Sequence, residues 1–128
     1  PVMAFRARVA AVRSLPAGSC ISYGRTHTLT RDSRLAVLGV GYADGLPRLL
    51  SNRGEVLLRG RRCPIVGRVC MDLCMVDVTD VPEAAVGDTA TLWGPELPIE
   101  EKADAVGTIQ YELLCGVSRR VSRIYREE

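Results

Sequence analysis

The sequence has little lysine, histidine or aromatic side chain, and each shortage restricts the functions that the chain can have. Lys102 is the only lysine among 17 basic residues, so a reaction that needs an imine-forming amine has a single candidate in this chain. His27 is the only histidine, which excludes any site built from two imidazoles of the chain. Aromatic residues make up only 5%, which counts against a surface on which successive nucleic-acid bases stack.

Charge of one sign and long apolar runs are also missing. The 17 basic and 15 acidic residues leave a net charge of +2, so the chain as a whole has no strong attraction for polyanions. No apolar run approaches the ~20 residues that a membrane span needs. Arg6, Arg8 and Arg13 interrupt the apolar amino terminus where a signal peptide would have its core. We therefore expect a cytoplasmic protein with no membrane segment.

The five cysteines are an odd number, and none of them lies in a Cys-x-x-Cys pair. This pattern argues against a disulfide framework and against a zinc site. On one strand, Cys70 and Cys74 would lie about 13 Å apart at ~3.3 Å per residue, too far to bind the same zinc ion. The sequence therefore predicts reduced, buried thiols and no metal.

The strand pattern predicts one small β domain over residues 1–128. With 47% apolar residues, the chain can bury a core of its own. Alternation of apolar and charged residues indicates a half-buried strand over 3–11, and the apolar run at 35–42 indicates a buried strand. A hairpin is predicted around Arg59-Gly60-Arg61, because glycine tolerates the positive φ of a tight turn. Strands are also predicted at 54–58, 62–66, 72–78, 89–93 and 117–125.

One segment has a helical pattern. Acidic residues open segment 99–106, and Gly107 follows it as a carboxy-terminal cap. The strand spacing elsewhere is typical of a barrel or a sandwich. The predicted fold class is therefore mostly β, a small β-barrel or sandwich-like domain with one or two short helices near residues 99–115.

Three tyrosines lie at predicted element boundaries: Tyr23, Tyr42 and Tyr111. Binding residues concentrate in loops at the ends of a rigid sheet, although tyrosine is also common at strand ends for structural reasons. Segment 67–72 adds an arginine, a cysteine, a methionine and an aspartate directly after a predicted strand. His27 is expected in an exposed loop.

Five motifs occur in order along the chain: SYGRT at 22–26, GYADGLPR at 41–48, SNRGEVL at 51–57, PIVGRVCMD at 64–72 and GTIQYELLC at 107–115. Together they resemble one family closely, the carboxy-terminal domain of bacterial alanine racemase. The resemblance covers nearly the whole chain, and five linked motifs are far more specific than any one of them.

The resemblance implies a homodimeric, pyridoxal-phosphate-dependent isomerase that interconverts L- and D-alanine, the latter for the peptidoglycan of the cell wall. In that family an amino-terminal (β/α)₈ barrel carries the Schiff-base lysine. The mostly β carboxy-terminal domain completes the active site of the partner subunit. This chain would be that second domain, inactive without the barrel, and its start at Pro1 rather than Met agrees with a piece of a longer chain.

The resemblance also implies roles for single residues. By its place in SYGRT, Tyr23 would be the catalytic base that takes the α-proton from L-alanine. Met71 would bind the substrate carboxylate through its backbone N–H, and Tyr111 would contact the cofactor phosphate through its hydroxyl. A substrate corridor at the dimer interface would be lined by Tyr42, Arg48, Arg68 and Asp72.

Two features depart from the family pattern. Gln110 stands where the family commonly has a smaller residue, and segment 118–123 lacks the usual prolines. Lys102 matches no cofactor-binding motif, and we expect it to be solvated on the predicted helix. The imine-forming lysine is therefore expected in the barrel domain.

Other functions stay open on sequence alone. A racemase of other or broader specificity, such as one acting on serine, would share the tyrosine motif and differ in pocket shape. A small arginine-rich barrel that binds RNA or single-stranded DNA is a second alternative, because sixteen residues are arginine. The cluster Arg59, Arg61 and Arg62 could touch phosphate, although a solvated hairpin tip is expected. A third alternative is a dimerisation module with no site of its own.

Overall fold

A computed structural model of the chain describes residues 4–21, 27–108, 110–117 and 121. Six strands of the described part form a closed antiparallel barrel in the order β1-β4-β7-β6-β5-β8. They are β1 (Phe5–Leu15), β4 (Ser33–Leu38), β5 (Glu55–Leu58), β6 (Arg61–Val66), β7 (Cys74–Asp77) and β8 (Thr89–Trp93). A separate pair of two-residue strands consists of β2 (Cys20–Ile21) and β3 (His27–Thr28). The predicted mostly β barrel is confirmed.

Strand β1 closes the barrel because it pairs with two different neighbours. Its first part, Phe5–Arg8, pairs with β8, and its second part, Val9–Leu15, pairs with β4. The register shifts between Val9 and Ala11, and a bulge of this kind bends a strand enough to turn a barrel corner. The predicted alternation holds along the first part, where Phe5, Ala7 and Val9 are buried between exposed arginines.

The predicted hairpin is confirmed with a shorter turn. Arg59 and Gly60 have φ of 50° and 76°, the two positive values that a type I′ loop needs to match the twist of its strands. Strand β6 therefore begins at Arg61, within the segment that was predicted to be the turn.

Helix α1 runs over Ile99–Val106, as predicted, and Gly107 ends it with φ of 72°. A second short helix, α2, runs over Gln110–Cys115, so Tyr111 lies inside a helix rather than at an element boundary. Of the predicted strand at 117–125, only Val117 and Val121 are described, and neither belongs to a strand. Among the described strands, the barrel closes by the pairing of β1 with β8.

The predicted strand at 35–42 is wrong at its end. Strand β4 stops at Leu38, and Tyr42–Asp44 form a 3₁₀ turn, followed by a second 3₁₀ turn at Arg48–Leu50. Gly39 and Gly41 have no side chains to pack against neighbouring strands, and glycine at such positions often marks a bend of the chain. Strand β7 likewise begins at Cys74, two residues later than predicted.

The expected solvated lysine is also wrong. Lys102 is 1% exposed, and its Nζ donates a short hydrogen bond to the carbonyl of Glu55 on β5. Helix α1 therefore turns this side chain toward the barrel, because a buried ammonium needs an acceptor there. His27, expected in an exposed loop, is half-buried in β3.

Candidate functional site

The loops at one end of the barrel bring together residues that are distant in sequence. The end of β4 pairs with the start of β7, since Leu38 lies opposite Cys74. The end of β6 pairs with the same part of β7, since Val66 lies opposite Met75. Segments 39–50 and 67–73 therefore leave the sheet at the same end. A cleft of about 230 Å³ lies there, lined by Tyr42, Arg48, Arg68, Val69, Cys70 and Met71.

Four of the predicted site residues line this cleft: Tyr42, Arg48, Arg68 and Met71. Asp72 follows on the same loop, exposed to solvent and outside the cleft lining. The two guanidinium groups make the cleft cationic at any physiological pH. A cleft lined by two guanidinium groups and a phenol suits a small carboxylate ligand.

Segment 70–73 forms a tight loop that presents Met71 at its tip. The N–H of Cys70 donates to the carbonyl of Leu73, at 2.9 Å, which closes the loop. The Met71 side chain is 52% exposed. Its carbonyl accepts a hydrogen bond from Ala43, whereas its own N–H meets no acceptor among the residues that the structure describes. Within the described ranges, the Met71 peptide therefore has a donor without an acceptor beside the cleft.

Exposed apolar side chains surround the same end of the barrel. Tyr42 and Met71 are 46% and 52% exposed, and Leu49 and Leu73 are 64% and 39% exposed. Large apolar groups that cluster around a cleft mark a surface that another protein surface covers.

The two remaining predicted site residues, Tyr23 and Tyr111, cannot be placed in this way. Tyr23 lies outside the described residues, as does the side chain of Tyr111. The backbone of Tyr111 lies in α2. The end of that helix touches the cleft region, because a Cβ on Gly45 would lie 2.7 Å from the carbonyl of Gly116 and 2.8 Å from the Cα of Val117.

All five cysteines are free; Cys63 and Cys74 are buried, whereas Cys70, predicted to be buried, is half-buried. Burial raises the pKa of Cys63 to about 11 and that of Cys74 to about 12. The expectation that Cys70 and Cys74 lie on one strand is wrong. Cys70 lies in the 70–73 loop, and only Cys74 belongs to β7. Within the described ranges, no group of three or more His, Cys, Asp and Glu residues could hold a metal ion.

The three arginines of the hairpin, Arg59, Arg61 and Arg62, are exposed, but each donates hydrogen bonds to an acceptor of the chain. Arg59 makes a two-pronged pair with Asp88, at 2.8 and 2.9 Å. Arg62 pairs with Glu101, at 2.8 and 3.1 Å, and Arg61 donates to the carbonyl of Asp80. Because these guanidiniums already have acceptors, the cluster does not form a vacant phosphate-binding patch.

Lys102 does not have the surroundings of an imine-forming lysine. Burial lowers the pKa of its amine to about 8, which would favour a nucleophile. The amine is nevertheless 1% exposed and bound to the Glu55 carbonyl, so a ligand has no access to it.

Sequence analysis missed Asp44, although it lies in the quoted GYADGLPR motif. Its carboxylate is buried and accepts a hydrogen bond from the N–H of Gly41, at 2.9 Å. An acidic residue three positions after the first residue of a turn is the capping-box spacing, and that spacing was the available signal.

The chain is similar to known proteins over nearly its full length. The family model described as alanine racemase, C-terminal domain, matches residues 2–125. The alanine racemase of Desulfovibrio desulfuricans is 52% identical over 128 residues, covering 99% of this chain and 34% of the relative. That of Desulfosudis oleivorans is 51% identical, covering 98% and 33%. This chain therefore spans about a third of the length of these relatives.

Solved structures agree with the sequence comparison. The biosynthetic alanine racemase of Pseudomonas aeruginosa matches with a TM-score of 0.93 and 42% identity, over 97% of this chain and 35% of that chain. The enzyme of Bartonella henselae, solved with covalently bound pyridoxal phosphate, matches with a TM-score of 0.91 and 39% identity, over 94% and 34%. In the described part of this chain, no helix has the length and apolar character to cross a membrane.

Proposed function

We propose, from the premise that this chain belongs to the alanine racemase C-terminal domain family, that it completes the active site of an alanine racemase and does not racemise alone. The observation that carries the proposal is the cationic cleft, which is lined by the exposed residue Met71, whose N–H has no acceptor among the described residues. The intact enzyme would interconvert L- and D-alanine.

The missing catalytic parts would come from an amino-terminal (β/α)₈ barrel domain, called the barrel domain below, and from a second subunit. Lys102, the only lysine of this chain, does not fit the role of the lysine that forms an imine with the cofactor, because it is buried against β5. Pyridoxal phosphate held by the barrel would supply the electron sink that lets the α-proton of alanine leave. The Tyr111 hydroxyl of this chain would contact the cofactor phosphate.

Substrate binding would rest on the Met71 peptide. Its N–H would donate to the alanine carboxylate, and a hydrogen bond to a charged group of this kind contributes about 1.5–3 kcal/mol. The guanidiniums of Arg48 and Arg68 would draw the carboxylate into the cleft, and Tyr42 and Asp72 would complete the corridor.

Tyr23 would move the proton on one face of the substrate. Inversion at the α-carbon needs one base on each face, and the barrel lysine would act on the other. An ordinary tyrosine has a pKa near ~10, so its deprotonation at pH 7 costs about 4 kcal/mol. Positive groups of the assembled site would have to lower that pKa.

The partner of this domain would be a second racemase subunit. The exposed apolar side chains around the cleft support a covering protein surface, as in a homodimer. The reaction would take place in the cytoplasm and supply D-alanine for the peptidoglycan of a bacterial cell wall.

The test is racemisation by the intact enzyme with Tyr23→Phe. We expect the rate of L-to-D conversion to fall by about 10²-fold or more, as removal of a general base does, with the unfolding midpoint unchanged. Tyr125→Phe, at the tyrosine to which no role in the site is assigned, is the matched control. An unimpaired rate in Tyr23→Phe would contradict the role of Tyr23.

A second experiment tests the division between domains. This chain alone, given pyridoxal phosphate and L-alanine, should form no D-alanine. Mixing it with the separately expressed barrel domain should restore turnover that Tyr23→Phe abolishes. Turnover by this chain alone would show that the barrel domain is dispensable and would redirect attention to Lys102.

A further inference from the structure

We infer that Asp44 is a positioning residue that orients the Met71 N–H toward the substrate carboxylate; the inference rests on the proposed function of Met71. It acts through the 41–45 turn, residues Gly41 to Gly45, which lies between the Met71 loop and the end of α2.

Asp44 closes the 41–45 turn on itself. Its carboxylate is buried, and Oδ2 accepts a hydrogen bond from the Gly41 N–H, at 2.9 Å. The N–H of Asp44 in turn donates to the Gly41 carbonyl, at 3.0 Å. These reciprocal bonds hold both ends of the turn.

The closed turn holds the Met71 loop through two consecutive donors. The N–H groups of Tyr42 and Ala43 donate to the carbonyls of Cys70 and Met71, at 2.9 and 3.0 Å. The backbones approach so closely that a Cβ on Gly41 would lie 2.2 Å from the Cys70 carbonyl oxygen. Movement of the turn therefore moves the loop.

Peptide planarity carries this constraint to the Met71 N–H. The Cys70 carbonyl and the Met71 N–H belong to one peptide group, which is planar and trans, so they point in opposite directions. Because Tyr42 holds the carbonyl, the N–H must point away from the 41–45 turn. A hydrogen bond at the carbonyl also polarises the peptide and strengthens its donor.

The same turn lies against the helix that bears Tyr111. Gly45 has φ of 110°, and it packs on the backbone of Gly116 and Val117 at the end of α2. The 41–45 turn therefore lies between Met71, the proposed contact of the substrate carboxylate, and helix α2, which bears Tyr111, the proposed contact of the cofactor phosphate.

The test compares two substrate fragments in the intact enzyme loaded with pyridoxal phosphate. Propionate is alanine without its amino group, and ethylamine is alanine without its carboxylate. We expect Asp44→Ala to weaken propionate inhibition about tenfold and to raise the KM for alanine similarly, the equivalent of about 1.4 kcal/mol. Ethylamine binding, followed from the absorbance of the cofactor, should change less than about twofold.

Asp44→Asn is the matched control, because the amide oxygen can still accept from Gly41. It should restore propionate inhibition to near the unsubstituted value. Asp44→Glu keeps the charge but displaces the acceptor by one methylene, and it should reproduce the loss if Asp44→Ala does not fold.

Three results would overturn the inference. One is unchanged propionate inhibition in folded Asp44→Ala or Asp44→Glu. Another is an equal loss of propionate and ethylamine, which would indicate general distortion, and the third is no rescue by Asp44→Asn. If the unsubstituted enzyme itself neither racemises alanine nor binds propionate, the proposed function has failed, which this comparison separates from failure at Asp44.

Discussion

Lys102 should make the stability of this chain rise with pH in the alkaline range. Burial lowers the pKa of its amine from an ordinary 10.5 to about 8, so the unfolded chain binds the proton more tightly than the folded chain. Below about pH 8 the amine is charged in both states, and folding bears the full cost of burying the charge. Between pH 8 and 10.5 the folded amine is neutral while the unfolded amine is still charged, and this cost declines. Integrated over that window, the difference is about 3 kcal/mol.

Lys102→Met isolates this contribution. Methionine fills a similar volume without the charge, but it leaves the Glu55 carbonyl without its Nζ donor, a loss of about 1–3 kcal/mol. The two effects oppose each other near pH 7, so a single measurement there decides little. The informative quantity is the difference in unfolding free energy between unsubstituted chain and variant, which should rise by about 3 kcal/mol from pH 7.5 to 10.5.

Taking the difference between the two proteins also cancels the contribution of the cysteines to the pH dependence of stability. Burial raises the pKa of Cys63 and of Cys74, so both thiols lower stability as pH rises. They do so equally in both proteins. Urea unfolding followed by the fluorescence of Trp93, the only tryptophan and a fully buried one, supplies the free energies.

Glu100→Gln, an exposed change on the same helix, is the control and should leave the pH dependence unchanged. A difference curve for Lys102→Met that is flat or falling across pH 7.5 to 10.5 would refute the assignment of a buried, destabilised ammonium at this position.

Three further predictions follow from the packing. Gly41→Ala should lower the melting temperature strongly and weaken alanine binding, because its Cβ would lie 2.2 Å from the Cys70 oxygen; Gly39→Ala, with nothing within 4 Å, should melt near the unsubstituted chain. In a thiol titration of the folded chain, the exposed Cys20 and Cys115 should react fast, and the buried Cys63 and Cys74 only on unfolding; rapid reaction of all five would contradict the barrel core. Trp93→Phe should cost about 1–2 kcal/mol in urea unfolding, less than the ~3–5 kcal/mol of a Trp→Ala change, because the buried indole N–H has no partner in the described part of the chain; a loss as large as that of Trp93→Ala would count against an unsatisfied donor.

Local patterns predicted much of the barrel. The alternation along β1 and the Arg59-Gly60 turn are properties of a few neighbouring residues, and both appear as expected. Helix α1 also matches the predicted bounds, since its acidic first turn and Gly107 mark its ends. These features follow from backbone propensity and from the two periodicities of side chains.

Errors occurred where a residue's partner lies far away in sequence. Lys102 looked solvated because its neighbours on the helix are polar, yet β5 lies over it and supplies a carbonyl 47 positions distant. Tyr42 was predicted at the end of a strand, but its N–H donates to the distant Cys70 carbonyl, and the chain there forms a 3₁₀ turn. Neither contact has a signature in the surrounding sequence.

The sequence by itself determined the family, the barrel strands, the helix α1 and the identity of four residues that line the cleft. The strands and the helix depend on local backbone preference, whereas the family and the four residues followed from motifs that resemble those of the alanine racemase carboxy-terminal domain. Only the tertiary structure decided that β4, β7 and β6 end together, that the Met71 peptide points away from a turn closed by Asp44, and that Lys102 is buried. The physical reason is that burial and convergence depend on which faces pack, and packing is a property of the whole chain rather than of any segment.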